Sequence, residues 1–178
     1  DSVAINDPTV EIQVRGKGGA IFARDNMITV DNSTFINCTA LDGGAIYWNG
    51  GMNYVNTNPD KLHGTNYLGK NGVVSNSKFI DNNAVCGGAV YWQATDGTIL
   101  NSTFTGNNVS VEGGAIYAPS RNIVVNRSTF TKNSALAYIG GALALDSSGT
   151  VDNSSFIENF AYKGGAIHWM SAGNILVN

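Results

Sequence analysis

Charge is scarce in this chain. Ten Lys plus Arg and thirteen Asp plus Glu make up 13% of 178 residues, about half the ~25% usual for globular domains. The cations stand singly and the net charge is −3. A chain with no basic patch is poorly suited to phosphates, which argues against nucleic acid and anionic membrane surfaces as partners. Cysteine is limited to Cys38 and Cys86, without a CxxC motif, and histidine to His63 and His168. Four residues so dispersed do not suggest a structural zinc site, and no cofactor is implied. In an oxidising compartment Cys38 and Cys86 are a candidate disulfide, provided that the fold brings their backbones close. No apolar run approaches the ~18 residues needed to cross a bilayer. The start at Asp1 has neither Met nor signal-peptide character, so the chain reads as a mature protein or an excised piece.

What the chain has instead is 22 Gly and 23 Asn, with many Ser, Thr, Val and Ile. These residues favour strands and tight turns over helices. At 178 residues the length suits one domain with a sizeable core.

The organisation is a repeat. "STFINCTALDGGAIYW" recurs as "SKFIDNNAVCGGAVYW", "STFTGNNVSVEGGAIYA", "STFTKNSALAYIGGALAL" and "SSFIENFAYKGGAIHW". Gly-Gly-Ala begins at Gly18, Gly43, Gly87, Gly113, Gly140 and Gly164, at spacings of 25, 44, 26, 27 and 24. The lone Phe recurs at Phe35, Phe79, Phe104, Phe130 and Phe156. A period near 25 with strand-like composition is the signature of a solenoid. The one long interval carries about 19 extra residues (44 − 25), assigned to a lateral loop insertion at 49–70.

Aligned copies give columns with physical meanings. Val30, Val74, Ile99, Val125 and Val151, five positions before the Phe, are β-branched as an inward strand position requires. Ala40, Ala84, Val109, Ala135 and Ala161, five positions after it, admit only small apolar side chains. After Gly-Gly-Ala, the columns starting at Ile21 and Ala23 share the inward face, and strand alternation turns Phe22, Tyr47, Tyr91, Tyr117, Ala144 and His168 outward. Stacking Phe on Phe at ~4.8 Å explains that residue without any ligand. The Gly-Gly marks a sharp corner, and the Asn rows three before and three after the Phe mark two more, giving about three sides per coil. The expected fold is all-β: a right-handed, single-stranded parallel β-helix of about six coils, ~25 residues each, spanning 1–178 as one domain.

The F-x-x-N and G-G-A-[ILV] motifs together resemble the repeat of the chlamydial polymorphic outer-membrane proteins. "GGAIYWNG" with "GTILNSTFTGNN" is similar to the adhesin-like surface proteins of methanogenic archaea. The resemblance covers nearly all the chain from Gly18, apart from the insertion. It implies an extracellular, cell-surface glycoprotein segment that attaches to glycans or proteins of other cells, with no catalytic residues to carry over. Cys38 in place of the motif Asn, and Ala144 with Leu145 in the aromatic phrase, depart from the pattern.

Candidate chemistry is sparse. Carbohydrate-active β-helices need clustered carboxylates. Here Asp42 and Glu112 share one column and Asp81 and Glu158 another, with no coil face collecting three acids. A non-enzymatic adhesive or structural module is therefore expected ahead of a polysaccharide lyase or hydrolase. Ligand-binding candidates are the outward Tyr47, Tyr91, Tyr117 and His168, a strip on which pyranose rings could stack, and Tyr54, His63 and Tyr67 of the insertion. Exposed stacked aromatics also serve simply to stabilise neighbouring coils. Six sequons occur; Asn126, Asn108 and Asn37 are the glycosylation candidates off the Asn column that precedes the Phe. The chain stops at "GNILVN", inside a coil, which fits a segment of a longer repetitive protein or a filament subunit that joins end to end.

Overall fold

Short strands separated by Gly and Asn corners leave the backbone one way to satisfy its hydrogen bonds, namely pairing with the copy above and below. The computed structural model describes residues 16–24, 27–50, 70–170 and, in backbone only, 175–177. It is a right-handed parallel β-solenoid of about five turns, ~26 residues per turn. The turns are four-sided, one side more than the corner residues suggest.

The first sheet follows Gly-Gly-Ala and contains Ile21–Arg24, Ile46–Asn49, Val90–Trp92, Ile116–Ala118, Leu143–Leu145 and Ile167–Trp169. The second runs from Thr29–Asp31 through Val73–Ser75, Thr98–Leu100, Ile123–Asn126 and Gly149–Asp152 to Ile175–Val177. The third holds the Phe strands Thr34–Ile36, Lys78–Ile80, Thr103–Thr105, Thr129–Thr131 and Ser155–Ile157. The fourth is made of Asn83–Cys86, Asn108–Glu112, Ser134–Ile139 and Phe160–Lys163. All pairings are parallel, and the register joins the columns seen in the sequence, Phe79 to Phe104 to Phe130 for example. Ile36 pairs with Ile80 and Tyr47 with Tyr91 across the 44-residue interval, so the extra residues leave the register intact.

Three ladders hold the coils. The Phe rings stack face to face at 4.7–4.9 Å from Phe35 to Phe156, and burying each ring contributes about 1.5–3 kcal/mol. The Asn column after the Phe lies inside. Asn107 Oδ1 accepts from the backbone N–H and the side-chain amide of Asn82. Its own amide donates to Phe79 O and to Asn133 Oδ1. Asn133 repeats the pattern toward Asn159. Beside it runs a Ser ladder not singled out from the sequence. The Ser77, Ser102 and Ser128 backbone N–H groups donate to the next coil's Ser hydroxyl, and those hydroxyls donate to the carbonyl two residues back.

The Asn column before the Phe works differently. Asn32, Asn76, Asn101, Arg127 and Asn153 all have φ between 45° and 50°, the left-handed conformation that Asn tolerates better than most residues. Asn37, Asp81, Gly106, Lys132 and Glu158 form the next left-handed corner, so the shared Asp81 and Glu158 column is a turn position.

In every Gly-Gly but Gly164–Gly165 the two glycines answer separate demands. Gly113 has φ +66°, whereas a Cβ on Gly114 would lie 2.0 Å from the carbonyl oxygen of Gly141. The first needs the left-handed backbone and the second the close approach of the next coil.

The candidate disulfide is not formed. Cys38 and Cys86 are not bridged to each other, because Cys38 stands in the ladder column one coil before Asn82 while Cys86 pairs with Asp42. The two columns are four residues apart along the coil, ~13 Å of strand, beyond the ~7 Å limit for a bridge.

Candidate functional site

The Gly-Gly corner folds the end of the fourth sheet against the middle column of the first. Alternation points Tyr47, Tyr91, Tyr117, Ala144 and His168 away from the core, yet the corner covers them. Tyr47 is 1% exposed and Ala144 fully buried, while Tyr91, Tyr117 and His168 are half-buried. The aromatic strip expected from the sequence is therefore partly closed, with Phe22 at its end still exposed. Nor are the rings one flat platform: Tyr47 is tilted 31° to Tyr91, and Tyr91 stands edge-on to Tyr117 at 86°.

The covering residues are those just before Gly-Gly, which pair in one column from Lys17 to Asp42, Cys86, Glu112, Ile139 and Lys163. The Lys17 ammonium donates to the Tyr47 hydroxyl at 2.9 Å, lies 4.3 Å from that ring's centre, and is 3.6 Å from the Asp42 carboxylate. Tyr47 in turn donates to Gln93 Oε1 at 2.6 Å. Two coils on, the Tyr117 hydroxyl donates to Asp146 Oδ2 at 2.9 Å, with the Glu112 carboxylate beside the same hydroxyl.

Burial governs the electrostatics here. It raises the Asp42 carboxyl above its usual range against the pull of Lys17, and it raises the Glu112 carboxyl likewise. Burial, then the Asp42 and Glu112 charges, pushes the Cys86 thiol up to about 11. The Tyr91 and Tyr117 hydroxyls are raised for the same first reason, Tyr117 also because it is bonded to Asp146. The Tyr117 hydroxyl and, to a smaller degree, His168 pull the Glu112 carboxyl back toward its usual range. Glu112 and Asp146 come together here although no repeat column joins them. Among the described residues no group of three or more His, Cys, Asp or Glu is placed to hold a metal ion.

The outer face of the fourth sheet carries a second feature. Leu136, Tyr138, Phe160 and Tyr162 are exposed by 62%, 46%, 59% and 76%, with Val85 and Leu41 at its margin. These side chains vary from coil to coil, so reading shared columns passed over them. Period-two alternation in "NFAYK" was the available signal.

Of the glycosylation candidates, Asn37 is exposed. Asn108 is half-buried and accepts a bond from Ser134, and the side-chain oxygen of Asn126 is buried. Tyr54, His63 and Tyr67 lie outside the described residues. Among the described residues no helix is long and apolar enough to cross a membrane.

A family model described as the right handed beta helix region matches residues 18–178. No curated protein and no solved structure matches the chain.

Proposed function

The chain belongs to the right-handed β-helix family, and on that footing we propose that it is a non-enzymatic extracellular surface module, adhesive or structural in role. One observation carries this reading: the residues common to the coils are used up in stacking, and chemical variety is left to outward side chains. The exposed Leu136, Tyr138, Phe160 and Tyr162 supply contact area of the kind that attachment surfaces use. Cell-surface glycans or proteins of other cells are the partners this face suits.

A binding screen on glycan arrays and whole cells tests it, run on the chain with and without residues 49–70. The double variant Tyr138→Ser/Tyr162→Ser should lose about tenfold or more in affinity at an unchanged melting temperature, as expected for aromatic contact residues. Full binding by that variant and by the deletion would remove the basis of the reading.

One arrangement favours a second reading, a polysaccharide-active enzyme. Glu112 and Asp146 share a tyrosine hydroxyl, and paired carboxylates are the equipment of glycoside hydrolysis. Reducing sugar released from polygalacturonate or related polymers, and lost in Glu112→Gln, would establish it.

A further inference from the structure

The Gly-Gly corner presents the same three positions twice, with different charges. At the first, Lys17 precedes its Gly-Gly, Tyr47 lies one coil on and Gln93 one coil further, with Asp42 as the acid beside them. At the second, the matching residues are Cys86, Tyr117 and Asp146, with Glu112 as the acid. The correspondence is residue for residue. Lys17, Asp42, Cys86 and Glu112 pair in one column, and Tyr47, Tyr91 and Tyr117 in another. The Gln93 backbone N–H donates to the carbonyl just past Tyr47, and that of Asp146 to the carbonyl just past Tyr117.

The first set shows what this geometry binds. An ammonium lies over the tyrosine ring, donates to its hydroxyl and pairs with the neighbouring carboxylate. There Lys17 and Asp42 cancel. In the second set Cys86 replaces the lysine and Asp146 replaces the neutral Gln93, so Glu112 and Asp146 bring two negative charges. The single proton of Tyr117 goes to Asp146 Oδ2, and Asp146 Oδ1 is buried with no hydrogen-bond partner. His168 is the basic group whose charge acts on Glu112. Between the two sets, Pro119 occupies the third position beside Tyr91 and offers no side-chain acceptor, so the arrangement is not repeated there.

We propose that Glu112, Tyr117 and Asp146 bind a primary ammonium group brought by another molecule, as Lys17 is held by Asp42 and Tyr47. The group would sit against the Tyr117 ring, which favours a cation electrostatically, and donate charge-assisted hydrogen bonds to the two carboxylates. A lysine side chain and an amino sugar both carry this chemistry. The site is separate from the outer face of the fourth sheet, so its failure would leave the attachment reading standing.

The test is an NMR titration at low ionic strength with Nα-acetyl-lysine methylamide, glucosamine, N-acetylglucosamine and calcium chloride. Saturable shifts at Tyr117 and His168 are expected with one or both amines and none with uncharged N-acetylglucosamine. The amine that saturates at the lower concentration identifies the source. Asp146→Asn should weaken binding about tenfold, the loss of one charge-assisted contact. Cys86→Lys should abolish binding by placing the chain's own ammonium there, and should raise the melting temperature. Absence of saturation by either amine, calcium alone saturating the site, or amine binding unchanged in both variants would overturn the proposal.

Discussion

Replacing Asn107 by Ala removes a rung from the middle of the inner amide ladder. Four hydrogen bonds are lost: two accepted from Asn82 and two donated, to Phe79 O and Asn133 Oδ1. The buried Asn82 N–H is left without its acceptor, at a cost of about 1–3 kcal/mol. The Asn82 amide keeps Phe35 O, and Asn133 Oδ1 keeps the Asn107 N–H. The other three bonds are therefore worth about 0.5–1 kcal/mol each, for a total of about 2.5–6 kcal/mol. That is a large part of the ~5–15 kcal/mol holding an ordinary domain. The control is Asn101→Gly, an exposed corner with φ 45° and one bond to Asn76, where Gly meets the backbone demand at a cost within about 0.5 kcal/mol. Urea unfolding followed by far-UV circular dichroism and by tryptophan fluorescence measures both, and coincident curves are needed because stacked repeats can depart from two-state behaviour. The reasoning fails if the two variants fall within about 1 kcal/mol of each other.

Other consequences follow from single contacts. Gly114→Ala drives a methyl into the Gly141 carbonyl and should cost at least about 3 kcal/mol or prevent folding, as read by thermal melts. Glu112 has its carboxyl raised above 4.5 by burial. The folded chain therefore binds more protons than the unfolded one between 4.5 and the raised value, and stability falls as pH rises through that window. Glu112→Gln should thus be more stable than the parent at pH 7 but not at pH 4, by less than about 1 kcal/mol because the carboxyl is partly solvated. Thiol titration in denaturant after air oxidation of the folded chain should find both Cys38 and Cys86 reduced; recovery of none would contradict their placement in separate columns.

The stacking logic was legible because residues that meet across coils must match. Phe35 to Phe156, the Val column and the Gly-Gly pairs repeat for that reason, and the insertion shows as one interrupted spacing. The two Asn columns look alike in sequence but answer different needs, one a left-handed backbone and the other an amide inside. The substitutions separate them. Arg127 replaces Asn at a corner that asks chiefly for a left-handed φ. Cys38 begins the ladder, where its N–H donates to Asn82 and, among the described residues, no strand of the third sheet precedes it to need an acceptor.

The fourth side was hidden by bulges. From the inner Asn or Cys38 to Gly-Gly the chain takes five residues at Cys38, Asn82 and Asn159, six at Asn107 and seven at Asn133. Register shifts between Val109 and Glu112 and between Ala135 and Ile139 absorb the difference, so period-two reading loses phase there. The covered corner escaped for a related reason. Alternation gives the direction of a side chain within its strand, and only the corner geometry shows that Lys17 and Glu112 return over Tyr47 and Tyr117.

The central claim is that repeat columns meet in register, even across the long interval. Disulfide formation between Ile36→Cys and Ile80→Cys, in a Cys38→Ala/Cys86→Ser background, tests it directly. These residues are 44 apart in the chain but directly paired, at the ~4.8 Å spacing that a bridge accepts. Rapid intramolecular oxidation is expected for this pair and not for Ile36→Cys with Lys78→Cys, since Lys78 pairs with Thr34. Equal oxidation of both pairs, or only intermolecular bridges, would contradict the stacked register.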